Sequence, residues 1–183
     1  MWQNLLSDSS FYLSLLALDR ELAEEARSWG CACGGKLHVS DYPRSPRGFT
    51  VEVSPDSERR FSFCCSLCRR RRTPPSVRFL GRRVYVGASV VVVALMIQGE
   101  TVKRFETLTH LLGVSARTVR RWLAWWRSLP WSPLWKVARG QLASPPNTSE
   151  LPLSLVGLFE GEEADRLIAL LRFLSPLSTE HAR

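Results

Sequence analysis

From Phe11 to Trp29 apolar residues return at every third or fourth position, as Phe11, Leu15, Leu18, Leu22, Ala26 and Trp29, with polar and acidic residues between them. That is the period of a helix with one buried face. Asp8-Ser9-Ser10 supplies a cap for it and Gly30 a stop. Beyond Cys31 the period breaks: Gly34-Gly35, Pro43, Pro46, Gly48 and Pro55 cut residues 31–72 into short segments. Within them, alternation in Phe49-Thr50-Val51-Glu52-Val53 predicts a strand. This stretch holds too few large apolar residues for a core of its own. Helical patterning resumes after Thr73-Pro74-Pro75, over 84–97, 101–112 and from Ala116 to about Ser128. Pro130, Pro133, Gly140 and residues 143–147 mark loops. A last helix is expected from about Glu162 to Leu174, with Ala164, Leu167, Ile168, Leu171 and Leu174 on one face and Pro176 ending it. The most apolar run, 84–97, is short of the roughly 18 residues a bilayer span requires and contains Gly and Ser, so a buried helix or strand-to-helix segment is expected.

Composition gives the pattern enough material to fold. The chain has 183 residues, 45% of them hydrophobic, with seven Trp, so global disorder is not expected. Its charge is unevenly spread. Residues 1–29 carry two basic and five acidic side chains, residues 30–140 twenty and six, and residues 141–183 three and six. The formal net charge of +8 is therefore concentrated in the middle, which favours a polyanionic partner. The N-terminal residues lack the basic, apolar and small-residue order of a signal peptide, so a cytoplasmic location is expected and no membrane partner.

The five Cys, an odd number without a secretion signal, point to metal ligands or buried thiols and away from a disulfide framework. Cys31-Ala-Cys33-Gly-Gly supplies one pair of thiols and Cys64-Cys65-Ser-Leu-Cys68 the other. Two such pairs across a hairpin-rich insert describe a zinc ribbon. Zn²⁺ takes four soft ligands in a tetrahedron, and the glycines let the backbone turn tightly around it. The first pair is one residue tighter than the usual knuckle. In the second, Cys65 with Cys68 restores the two-residue spacing and leaves Cys64 as a packed thiol, with His38 a substitute ligand. Cys31, Cys33, Cys65 and Cys68 are the expected set. Metal binding would contribute folding free energy of roughly 10 kcal/mol or more; the competing reading is four reduced, buried thiols.

Residues 69–83 contain seven Arg and no acid. Arg69, Arg70, Arg71, Arg72, Arg82 and Arg83 are expected to grip nucleic-acid phosphates, with Arg44 and Arg47 extending the surface; a solvated charged face is the alternative. Further on, residues 107–123 read as helix, short turn and second helix. Gly113 can adopt the left-handed conformation that ends the first helix, Val114 fills the angle, and Ser115 caps the second. On the second helix Val119, Trp122, Leu123 and Trp126 share one arc and Arg117, Arg120, Arg121 and Ala124 the opposite one. Arg117, Arg120 and Arg121 are the expected base or phosphate contacts, helped by Ser115 and Thr118. Five Trp, at 122, 125, 126, 131 and 135, follow closely; core packing is the preferred reading and base stacking the alternative.

The pairs Cys31/Cys33 and Cys65/Cys68, the Arg-rich segment and the run from Leu111 to Trp122 together resemble the N-terminal DNA-recognition portions of bacterial insertion-sequence transposases and related mobile-element proteins, over about residues 31–128. The resemblance implies a mainly α fold with a small β zinc-ribbon-like module and a helix-turn-helix. It implies double-stranded DNA as partner, Zn²⁺ as cofactor, and a nucleoid-associated accessory or regulatory role. A homodimer, or a recruited transposase or recombinase, would be the protein partner. The catalytic part of such transposases, acidic residues holding two metals on a ribonuclease-H-like domain, does not carry over. After residue 106 the only acids are Glu150, Glu160, Glu162, Glu163, Asp165 and Glu180. With no H-E-x-x-H and no P-loop either, no enzymatic activity is expected. The chain divides into an N-terminal helix (1–30), a Cys- and Arg-rich module (31–83), a helix-turn-helix region (84–140) and a linker with a C-terminal helix (141–183). An RNA-associated zinc-ribbon protein is the second reading of the same features.

Overall fold

The computed structural model describes residues 2–44, 47–80, 85–97 and 102–178. The chain is mostly helical with a small antiparallel β component. A short helix α1 (Trp2–Leu6) precedes the long α2 (Ser9–Ser28). The Asp8 carboxylate accepts the Ser10 N–H and caps α2, and Gly30 ends the segment at φ +65°. Among the described residues five short strands follow: β1 (Leu37–Val39), β2 (Tyr42–Pro43), β3 (Arg59–Arg60), β4 (Phe63–Cys65) and β5 (Arg71–Arg72). β4 is central in a sheet of order β1-β4-β5, pairing Leu37 with Cys65 and Phe63 with Arg72, while β2 pairs with β3. The remaining helices are α3 (Gly87–Ile97), α4 (Val102–Leu111), α5 (Ala116–Ser128), α6 (Pro133–Ala138), α7 (Leu153–Val156) and α8 (Glu163–Leu174).

The helical elements share one core. α3 is its axis: Gly87 to Met96 are all buried, and α1, α4, α5 and α8 pack around it. A helix apolar on every side has nowhere to be but inside. The Ser89 hydroxyl inside it donates to the Gly48 carbonyl at 2.6 Å. Before α3, Tyr85 and Val86 bridge to Arg47 and Phe79, so among the described residues the apolar run passes from two bridged positions, 85 and 86, into the buried helix. From α8, Leu167, Leu170, Leu171 and Leu174 enter the core.

The strand expected at 49–53 is not formed. That segment is irregular, and the half-buried Phe49, Val51 and Val53 pack on the helical core. Phe49 meets Tyr12 edge to face at 5.0 Å, and the Thr50 hydroxyl donates to the Leu6 carbonyl. The alternation is real, but helices and not a neighbouring strand cover its apolar side. The ladder forms instead where Leu37, Phe63 and Cys65 join Ala23 of α2 in a second, small core.

The two cores are joined by a buried ion pair. Asp19 of α2 accepts Arg78 Nε at 2.7 Å, and neither side chain is more than 2% exposed. The same carboxylate accepts the Ser76 hydroxyl and the Val77 N–H. Arg78 also donates to the carbonyls of Asp56, Ser57 and Arg59, so its guanidinium is satisfied on all three nitrogens.

Candidate metal centre and basic helix face

Cys31, Cys33, Cys65 and Cys68 come together with all four sulfurs within 4.8 Å of one another. Cys33 Sγ lies 3.4 Å from Cys65 Sγ and 3.5 Å from Cys31 Sγ, and Cys31 Sγ lies 3.6 Å from Cys68 Sγ. These separations approach the edge of a tetrahedral thiolate site, about 3.8 Å for metal–sulfur bonds of about 2.3 Å. His38 is not in the group. It sits exposed on β1 opposite Cys64. Cys64 is turned aside, its sulfur 3.6 Å from the Arg69 carbonyl. The adjacent Cys64 and Cys65 are thus resolved by strand alternation: β4 sends Cys65 inward to 0% exposure and Cys64 away.

The local backbone is shaped for sulfur anions. The residue after each pair is left-handed, Gly34 at φ +78° and Arg69 at φ +58°, so each chain curls back over its own thiols. The Gly35 N–H holds the Cys33 thiol below its ordinary range. The N–H groups of Cys68 and Leu67 help bring Cys65 down to about 6. At Cys68 the Arg70 N–H pulls the same way, but the surrounding Cys33, Cys31 and Cys65 outweigh it and push that thiol up to about 12. Four sulfurs this close cannot all ionise on their own, and a soft cation among them removes the conflict. Gly35 completes the cradle, since a Cβ there would lie 2.5 Å from Cys65 Sγ and 3.0 Å from Leu67 Cγ. Sequence reading valued Gly35 for turning and missed this close approach, which no local pattern signals.

The arginine segment is divided in its employment. Arg69 and Arg70 are exposed. Arg71 donates to the Ser40 carbonyl at 3.1 Å and lies over the Tyr42 ring, and Arg72 donates to the Gly30 carbonyl and lies over Trp29. Arg78 is the core ion pair. Arg44 lies over the Phe79 ring at 5.0 Å, whereas Arg47 is exposed. Arg60 is wholly buried and donates to the Pro74 carbonyl; burial brings its guanidinium down to about 10. Arg82 and Arg83 lie outside the described residues.

α4 and α5 are joined by Leu112-Gly113-Val114-Ser115. Gly113 is at φ +58°, Val114 is 7% exposed, and Ser115 Oγ accepts the Thr118 N–H. On α5, Val119, Trp122 and Trp126 are buried while Arg117, Arg120, Arg121 and Ala124 are exposed, as their spacing predicts. Arg127, also exposed, falls in the same arc of roughly 120° at about 100° per residue; carrying the periodicity to the helix end identifies it. Thr118 is half-buried and its hydroxyl lies 3.1 Å from Ser115 Oγ. Of the Trp cluster, Trp122, Trp126 and Trp135 are buried and Trp125 stacks edge-on against Trp126 at 4.8 Å, but Trp131 is 83% exposed. Core packing does not account for it.

No described helix is long and apolar enough to cross a membrane. Against known protein families, curated proteins and solved structures alike, the chain has no significant match.

Proposed function

We propose that this chain is a zinc-dependent, sequence-specific double-stranded DNA-binding protein. In this reading α4 and α5 act as a helix-turn-helix, and the role is that of a mobile-element accessory protein or transcriptional regulator. The observation that carries the reading is the exposed face of α5. Arg117, Arg120, Arg121 and Arg127 stand together on it without an acidic residue, on a helix whose other side is anchored by Val119, Trp122 and Trp126. Such a helix is rigid, cationic and narrow enough for a major groove, where arginine reads guanine bidentately. Zn²⁺ suits the four thiolates, and with every position filled by sulfur its role is structural. It would hold β4 and the turn bearing Arg69 and Arg70 beside the end of α2, offering those two guanidiniums to phosphate.

Selection of bound duplexes from a random library, with zinc-loaded and chelated protein, tests the reading. An enriched motif is expected at physiological salt. Arg120→Ala should change the motif, whereas Arg70→Ala should weaken all sequences alike and lower the salt slope by about one. Absence of enrichment would overturn specific DNA reading, and tighter capture of structured RNA than of duplex DNA would replace it with the RNA-associated alternative.

A further inference from the structure

Resting on the reading of α5 as a DNA-contacting helix, we propose that Trp131 stacks on an unpaired base. The surface of α5 and the turn after it would then take duplex DNA with an exposed base, at a fork, gap or mismatch, in preference to continuous duplex.

Trp131 is the most exposed large hydrophobic side chain among the described residues. Its placement follows from the backbone. The end of α5 continues in right-handed helical conformation, with Leu129 at φ −54° and ψ −43°, into the 3-10 turn Leu129–Trp131. Leu129 is 3% exposed and faces the core. Two residues further at about 120° per residue, Trp131 comes round to the side of the helix that bears Arg117, Ala124 and Ser128. The indole thus extends the arginine face at its C-terminal end.

The mounting is stiff. Pro130 precedes Trp131, and Ser132 follows as the cap of α6, its hydroxyl accepting the Trp135 N–H. Trp135 in turn is buried and meets Phe173 edge to face at 6.2 Å. The backbone at Trp131 is thus fixed before binding, and ordering the indole costs only its own two side-chain torsions.

Charge decides the occupant. Residues 107–149 hold Arg117, Arg120, Arg121, Arg127, Lys136 and Arg139 and not one acid, and all six cations are exposed. A second copy of this face would bring like charges together, while a nucleic acid supplies both the anions and a flat apolar ring. Continuous duplex hides its bases from an indole. An unpaired base offers its face, and stacking of this kind is sequence-tolerant.

The test compares one short duplex of fixed sequence with the same duplex opened at one end, at low ionic strength where phosphate contacts hold both. A 2-aminopurine is placed at the first unpaired position. The wild-type chain should bind the opened DNA roughly 5- to 100-fold tighter and quench the probe. Trp131→Ala should abolish the preference and the quenching while leaving affinity for continuous duplex within about twofold, and Trp131→Phe should retain most of the preference, since a phenyl ring still stacks, while losing most of the quenching that the indole supplies. Equal binding of the two DNAs by the wild type overturns the stacking proposal and leaves α5 as a duplex reader. Failure to bind either DNA removes the reading on which it rests. If Trp131→Ala instead turns a sedimenting dimer into a monomer with the DNA preference intact, the indole is a self-association contact and the proposal is wrong.

Discussion

At the scale of single residues, two positions combine strong constraint with an unassuming place in the sequence. Gly35 is one: its missing side chain is what lets Cys65 Sγ come in beside Cys33. Gly35→Ala should weaken metal binding by at least tenfold, because the sulfur that must move is one of the four that a metal ion would draw to a fixed tetrahedral spacing. Cys64→Ser, outside the four-sulfur group, should leave affinity and one-to-one stoichiometry unchanged. Cobalt substitution, followed by its thiolate charge-transfer band under chelator competition, reads both. Asp19 is the other. Its carboxylate is the acidic partner of a fully buried guanidinium, and Asp19→Asn leaves that charge without a counterion. A loss of about 3–5 kcal/mol is expected in urea unfolding at neutral pH; a loss below about 1 kcal/mol would mean that the carbonyls around Arg78 suffice alone. Nothing in the sequence separates Asp19 from the other acids of α2, or Arg78 from the other arginines of its run, because pairing across more than fifty residues is made only by folding.

At the scale of elements, local pattern and final state agree best where a helix has one dry face. α5 is laid out by its own spacing, from the Gly113 turn and the Ser115 cap to the buried Val119, Trp122 and Trp126. Ser115→Ala should cost about 1 kcal/mol by removing the acceptor for the Thr118 N–H, with fraying confined to the first turn as seen by hydrogen exchange. α3 is the opposite case. Val90 to Val93 are β-branched residues that favour strands when considered locally, yet they form the central helix because burial on every side rewards a shape with no free backbone edges. The failed strand at 49–53 shows the same competition with the other outcome. Its alternation describes which side chains turn inward, and says nothing of whether a neighbouring strand is there to complete a ladder.

At the scale of the whole molecule, two unequal cores divide the sources of stability. The large one draws on α1, α2, α3, α5 and α8, while the small one has only Ala23, Leu37, Phe63 and Cys65 at its centre, so a metal held by the four thiols, as proposed, would supply the rest of its cohesion. Chelation should therefore leave most of the helical circular-dichroism signal in place while removing amide protection across residues 31–40 and 62–72. Complete loss of helicity on chelation would show that the Asp19–Arg78 link makes the two cores unfold as one. By itself the sequence determined the amphipathic helices, their caps, the paired thiols and the sign of the exposed α5 face, because each rests on neighbours within about a turn or a knuckle. Only the tertiary structure decided that a side chain at Gly35 would meet Cys65 Sγ, which arginines are spent inside the protein and which remain outside, and that Trp131 alone of its cluster is largely exposed. These depend on what lies opposite a residue in space, and burial, charge pairing and close approach are set by partners that the chain brings together from far along its length.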